Sequence, residues 1–314
     1  MRVLITGCSG AIGSRVAAAL SAGREFELVA GIDVRFPASA ATLSDFTLRD
    51  VRKPLDELLR EKRIDTVIHC AFILRPLYDT RLMEEVNVGG AVNLIRACES
   101  STSVRHIIQI SSATVYGFHA GSAPYVEDSP LRPAPGFLYA IHKRRVENLF
   151  AEFARRRPDV AVTVLRPSLV AGRGACDPVV SYLRRPRVFL PRAEARLQVT
   201  HVDDLAAIIR MLLLETHPGT FNVGSDGTVR IDEVVRGFGG RTVFLPFGLL
   251  RWLNEAAWRC HLTTLAPAPS AALPILRYSW VVDSGKLLRE TGFRFTRSTM
   301  ETLRDIGLTC PESV

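Results

Sequence analysis

Val3-Leu4-Ile5-Thr6-Gly7-Cys8-Ser9-Gly10-Ala11-Ile12-Gly13 is an apolar strand that breaks into a glycine-rich turn and runs at once into a helical pattern. Glycine falls where the backbone must turn tightly and let a pyrophosphate approach, and the helix amino terminus behind it offers free N–H groups and a positive dipole. The spacing is G-x-x-G-x-x-G, not the commoner G-x-G-x-x-G. Dinucleotide contacts are expected at Gly7, Ser9, Gly10, Ala11, Ile12 and Gly13. Asp33 stands 20 residues after Gly13 at the end of the second strand pattern, where a carboxylate accepts hydrogen bonds from an adenosine ribose. That carboxylate repels a 2′-phosphate, which favours NAD over NADP; Arg35 works in the opposite sense.

Outward from this turn, β-branched runs alternate with amphipathic stretches as far as about residue 166, the pattern of βαβ units and a parallel sheet covered on both faces. VLIT, ELVAGID, DTVIHCA, HIIQIS and VAVTVLR read as strands. Helices are predicted near 11–22, 53–62, 79–100 and 138–157, the last on the spacing of Val146, Leu149, Phe150 and Phe153. The fold class predicted is α/β: a doubly wound parallel Rossmann sheet with a smaller, irregular α/β C-terminal substrate domain. Residues 1–168, with contributions from about 196–225, are expected to form an NAD-binding domain and 169–314 a partly interleaved substrate-binding domain. In the latter, Gly172, Gly174, Pro178, Pro186 and Pro191 interrupt every run, although a helix (204–215), a strand (220–223) and a helix from about Asp232 still read clearly.

The 314 residues suit about two domains. With 47% hydrophobic and 23% charged residues, a mainly disordered or collagen-like chain is excluded. No apolar run reaches the ~18 residues of a membrane span, and the amino terminus enters a strand without a secretory pattern, so a cytoplasmic protein is expected. Cys8, Cys70, Cys98, Cys176, Cys260 and Cys310 carry no C-x-x-C or zinc-ligand spacing and read as reduced thiols, mostly in the core, with no metal site. The formal charge of +8 comes from 40 basic residues, of which only four are lysines, against 32 acids. The arginines are scattered along the chain without a nucleic-acid motif; neither a nucleic acid nor a membrane partner is expected.

Tyr139 and Lys143 form Y-x-x-x-K at the start of the helix near 138, on one helix face. An ammonium beside a phenol lowers its pKa toward that of a general base. Ser111 and Ser112 end the strand before that helix.

With these residues in place the chain resembles the extended short-chain dehydrogenase/reductase family, in its NAD-dependent sugar-nucleotide epimerase/dehydratase branch. The likeness runs through TGCSGAIG, HCA (69–71), VNVGG (86–90), SSATVYG (111–117), PYVEDSPLRP (124–133), YAIHK (139–143), LRP (165–167), HVDDLA (201–206), FNVGS (221–225) and VDSGKLLRETGF (282–293). SSATVYG looks most like the segment of UDP-galactose 4-epimerases. The resemblance implies Tyr139 as acid/base, Lys143 on the nicotinamide ribose and Ser112 on the reacting oxygen. It also implies cofactor contacts at Asp50 and Val51 (adenine), Cys70 and Ala71, Asn87, Ser111, and Pro167 with Ser168. His201, Asp203 and Asp204 match a motif of mainly architectural role. A homodimer through the helices near 79–100 and 138–157 is implied as well.

Ala113 and Thr114 stand where dehydratases of this branch carry Asp-Glu, which disfavours a 4,6-dehydratase. Leu169 and Leu197 stand where many relatives carry an Asn and an Arg near the substrate diphosphate; Arg173, Arg192 or Arg196 would have to replace that charge. Substrate contacts are therefore expected at Ser112, Thr114, Leu169 and these arginines. The leading expectation is an NAD-dependent epimerase of a nucleoside-diphosphate sugar, such as a UDP-sugar 4-epimerase working through a keto intermediate. The alternatives are an NAD(P)-dependent dehydrogenase or ketoreductase on a non-nucleotide alcohol or ketone, and a non-catalytic NAD-binding sensor. RPRVFLPR (185–192) reads as a surface or substrate flap, Trp252 and Trp258 as core or lid packing, and Cys8 as packed.

Overall fold

The computed structural model describes residues 1–39, 42–121 and 124–308. In chain order its first elements are β1 (Arg2–Thr6), α1 (Ala11–Ser21), β2 (Leu28–Asp33), β3 (Asp45–Leu48), α2 (Asp56–Glu61), β4 (Thr66–His69), α3 (Thr80–Glu84), α4 (Gly90–Ser100), β5 (His106–Ile110), α5 (Leu138–Arg156) and β6 (Ala161–Pro167). There follow β7 (Leu169–Gly172), β8 (Ala175–Cys176), α6 (Pro178–Leu183), β9 (Arg187–Pro191), β10 (Arg196–Leu197), β11 (Val199–His201), α7 (Val202–Leu214) and β12 (Gly219–Val223). Last come β13 (Val229–Arg230), α8 (Ile231–Gly237), β14 (Arg241–Leu245), α9 (Phe247–Arg259), α10 (Gly285–Thr291) and α11 (Thr299–Asp305).

The main sheet has the order β12-β6-β5-β4-β1-β2-β3, and every pairing from β3 to β6 is parallel. The order reverses at β1, the topological switch point of the doubly wound dinucleotide-binding sheet. Inner strands covered on both faces are apolar throughout: β4 and β5 are buried along their whole length. The edge strand β3 was not legible, because DFTL is short and half-exposed. The helix predicted over 79–100 is α3 and α4 joined by one widened turn, Glu85–Gly89.

The described residues group into two compact units. One comprises Met1–Ser111, His142–Arg166 and Leu205–Phe221; the other comprises Ser112–Ile141, Pro167–Asp204 and the chain from Asn222 on. Ser112–Ile141 groups with the second unit because Tyr116, Phe118, Tyr125 and Ala134 sit in its core. The segment returned to the first unit, 205–221, lies inside the predicted 196–225. Each unit has its own apolar core. In the first, Val146, Phe150 and Phe153 of α5 are fully buried against strand residues such as Leu4 and Ile107. On its other side α5 exposes Arg144, Arg145, Asn148 and Glu152.

Cys8 and Cys98 are buried thiols, but Cys260 is exposed. The side chain of Cys176 and all of Cys310 lie outside the described residues. No helix among those described is long and apolar enough to cross a membrane.

Two strand histidines make the first unit acid-sensitive. His69 Nδ1 shares a hydrogen bond with Thr6 Oγ1 (2.8 Å) and its ring lies 5.9 Å from that of Phe150; His106 Nε2 meets Thr163 Oγ1 at 3.0 Å. Burial pushes His69 down to about 3 and His106 down to about 4, from 6.5. Both stay neutral in the native state while the unfolded chain takes up their protons below pH 6.5, so stability falls as the pH falls toward those values. The expected slope approaches two protons, about 2.7 kcal/mol per pH unit. Urea titrations at pH 6.5 and below measure it, and His106→Asn is expected to halve the histidine contribution.

Candidate active site

The glycine turn follows directly from β1. Gly7 adopts φ +70, and its N–H donates to Ile32 O at 2.8 Å. A Cβ on Gly7 would lie 2.7 Å from the Ala71 backbone, and one on Gly13 would lie 2.3 Å from Gly7 O. Gly10 precedes α1 in extended geometry, with no side chain capping the helix. The first amides of α1, at Ala11, Ile12 and Gly13, are left for an anion. Gly13→Ala is expected to break the turn, since only backbone could yield, and to abolish retention of a dinucleotide through gel filtration.

The second sequence signal lies against the first. Asp33 Oδ2 accepts from Ser9 N (3.1 Å) and Oδ1 from Arg35 N (3.0 Å), while Ser9 Oγ donates to Arg35 O at 2.7 Å. The Asp33 side chain is 8% exposed and that of Arg35 73%. Each carboxylate oxygen keeps a lone pair for ribose hydroxyls. A turn without Cβ atoms, an uncapped helix end and a carboxylate beside them fit a dinucleotide.

Other predicted cofactor positions differ in what they do. Asp50 is paired with Arg52 at 2.7 Å, which holds its carboxyl below the usual range, and Val51 packs against Gly90. Burial pushes the Cys70 thiol up to about 12, so it is inert. Asn87 is fully buried and its amide is spent on the loop after β4: Oδ1 accepts from Ile73 N at 2.6 Å and Nδ2 donates to Ile73 O at 3.2 Å. Asn87 thereby clamps that loop. Ser168 shares a hydrogen bond with Thr200 (2.8 Å), and Pro167 ends β6.

Ser112 is extended and accepts from Thr114 N (3.2 Å) and Thr114 Oγ1 (3.0 Å). Thr114 is buried and its hydroxyl donates to Ser112. The turn is pinned by Tyr116, whose hydroxyl donates to Asn222 Oδ1 at 2.7 Å and whose ring stacks on Tyr125 at 5.0 Å. The Ser112 hydroxyl and the Tyr139 phenol share a hydrogen bond. Tyr139 and Lys143 lie one turn apart on α5. Desolvation pushes the phenol above its ordinary value; Ser112 opposes this and the charge of Asp177 adds to it. Lys143 is itself buried, which pushes it down to about 7, and its ammonium donates to Ile110 O at 2.6 Å and sits 3.7 Å over the Phe72 ring.

The sequence profile of the NAD dependent epimerase/dehydratase family matches residues 3–224. The chain belongs to this NAD-dependent family of enzymes. An uncharacterised protein of Mycobacterium tuberculosis is 29% identical over 96% of the chain and 82% of that protein. The UDP-glucose 4-epimerase of Azospirillum brasilense is 28% identical over 75% of the chain and 76% of its own length. The fold is that of the Thermus thermophilus UDP-glucose 4-epimerase solved with NAD, at TM-score 0.75 and 24% identity, covering 97% of both chains.

Leu169 is 0% exposed in the core of the second unit, and Leu197 is packed there too. Arg196 is committed to Thr228, through Oγ1 at 2.8 Å and O at 3.2 Å. Arg173 is exposed, 3.6 Å from Asp305. Arg192 is exposed and lines a pocket with Arg277. His201 is packed and hydrogen-bonded as read, accepting from Asp203 N at 3.1 Å, and Asp204 accepts from Thr296 Oγ1 at 2.6 Å.

Two groups were missed. Asp177, near enough to act on Tyr139, is raised to about 6 by burial; its Asp-Pro context reads only as the cap of α6, which it is, accepting from Val179 N at 2.7 Å. Glu147 and Arg166 form a buried pair at 2.7 Å, and Ser111 Oγ also donates to Glu147. The available signal was an acid on the apolar face of α5, one turn beyond Lys143.

Proposed function

We propose that this enzyme epimerises a nucleoside-diphosphate sugar, a UDP-sugar at C4, through a transient ketone. The observation that carries the reading is the Ser112–Tyr139 hydrogen bond one helical turn from Lys143, with Ala113 and Thr114 in place of the acid pair dehydration requires. The glycine turn and Asp33 would hold NAD, which would supply the hydride acceptor and donor for the substrate carbon. Tyr139 removes the hydroxyl proton and gives it back, and Ser112 holds the same oxygen. Lys143, titrating near 7, supplies the positive charge that a phenolate needs. The similarity to UDP-glucose 4-epimerases supports the choice of substrate class. Free cysteines at Cys8, Cys70, Cys98 and Cys260 fit the reducing cytoplasm.

The test has two parts. Mass spectrometry of the nucleotide released on acid denaturation is expected to find stoichiometric NAD, and proton NMR is expected to show UDP-glucose converting to UDP-galactose with no net change in NADH absorbance. A dehydrogenase or ketoreductase acting on an apolar alcohol is the second reading, favoured by the buried Leu169 and Leu197 where charge would meet a diphosphate. An empty site with stoichiometric NADH production from an alcohol would replace the first reading by the second.

A further inference from the structure

Residues 184–192 and 241–277 carry eight arginines and one acid, Glu255, so seven of the eight net positive charges of the chain fall within 46 residues. The arginines are scattered along the sequence; the acids avoid this lobe. Strand β14 pairs with β9 in parallel, Val243 beside Phe189, and Arg185 ties its side to the loop after α9 by donating to Thr264 O at 2.7 Å. Arg187, Arg192, Arg241 and Arg251 are exposed and make no ion pair among the described residues, while Arg259 is held by Glu255 at 3.0 Å. Glu194, just beyond the lobe, faces Arg230 at 3.5 Å.

The same 46 residues hold eight of the 16 exposed large apolar side chains among the described residues. On α9 the outward stripe is Leu249, Trp252, Leu253 and Ala256, the i, i+3, i+4, i+7 spacing that a helix of a globular protein turns inward. Here it faces out: Trp252 is 67% exposed, and Leu250 is the residue of α9 that is buried. The expectation that Trp252 packs in a core or lid is therefore corrected. Leu262 and Leu265 extend the patch just past the helix. Next to it a pocket of about 360 Å³ is lined by Arg192, Arg277, Phe244 and Phe247, with no carboxylate in its wall.

We propose that this lobe docks the protein on the surface of an anionic phospholipid bilayer, Leu249, Trp252 and Leu253 entering the headgroup layer and the arginines meeting lipid phosphates. Aliphatic and indole side chains ringed by cations are what an interfacial helix presents to such a surface. A second copy on this face would bring two sets of uncompensated arginines together, and a nucleic acid offers nothing for exposed leucines to enter. This docking lies on the surface, spans nothing, and is independent of the reaction proposed above.

Sedimentation with vesicles tests it, using phosphatidylcholine alone and phosphatidylcholine with about one third phosphatidylglycerol. The full-length protein is expected to pellet with the anionic vesicles, not the neutral ones, with a blue shift in tryptophan emission and release at high salt. The double variant Trp252→Ser, Leu253→Ser alters exposed positions and is expected to keep the native melting curve while binding at least about tenfold more weakly. Arg241→Glu with Arg251→Glu is expected to do the same. Failure to pellet with anionic vesicles, equal binding to neutral ones, or undiminished binding by the folded double variant would overturn the proposal. So would light scattering showing a dimer that the double variant splits.

Discussion

Tyr139→Phe is expected to lower the turnover of a UDP-sugar by roughly 10³-fold, the worth of a positioned acid/base, while the protein still releases one NAD per chain on denaturation. The substitution removes one oxygen. The turn at Ser112 persists without it, because Ser112 is still held by Thr114 N and Oγ1. The dinucleotide turn is built from other residues, at Gly7, Gly10, Gly13 and Asp33, so cofactor content separates loss of chemistry from loss of fold. Ser112→Ala, which removes a hydrogen bond to the reacting oxygen but leaves the phenol, is expected to cost less, roughly 10². Substantial residual epimerisation in Tyr139→Phe would move the acid/base role to another group. Asp177, raised to about 6, is then the first to examine.

The parts of the molecule that were legible are those where one residue type answers one backbone demand. Glycine at 7 and 13 is required by atoms within 3 Å of where a Cβ would stand, and Asp33 is the carboxylate at the end of β2. Inner strands are uniformly apolar and helices periodic, so their order could be read. What could not be read depends on partners distant in sequence. The amide of Asn87 meets the backbone of Ile73 on the loop after β4. Leu169 packs in the core of the second unit, Thr114 on Ser112 and Arg196 on Thr228, none of which spacing in the sequence reports. A raised phenol and a lowered ammonium are products of burial, which i, i+4 spacing does not report.

Glu147→Ala is expected to be the most destabilising single change near the site, by about 3–5 kcal/mol, read as a fall in melting temperature of roughly 10 °C. The Glu147 and Arg166 side chains are each 7% exposed; Arg166 Nε donates to Oε1 at 3.0 Å and a terminal nitrogen to Oε2 at 2.7 Å. Removing the carboxylate leaves a buried guanidinium, which cannot be deprotonated, without this counter-charge, and takes from Ser111 its acceptor. It also removes the negative charge that supports the protonated form of Lys143, whose pKa is expected to fall further below about 7. Desolvation and pairing are distinguishable. Replacing both members, Glu147→Met with Arg166→Met, keeps volume and buries no charge, and is expected to recover most of the melting temperature without restoring Lys143. A double-mutant cycle measures the difference, and a cost for Glu147→Ala below about 1 kcal/mol would mean that water reaches Arg166.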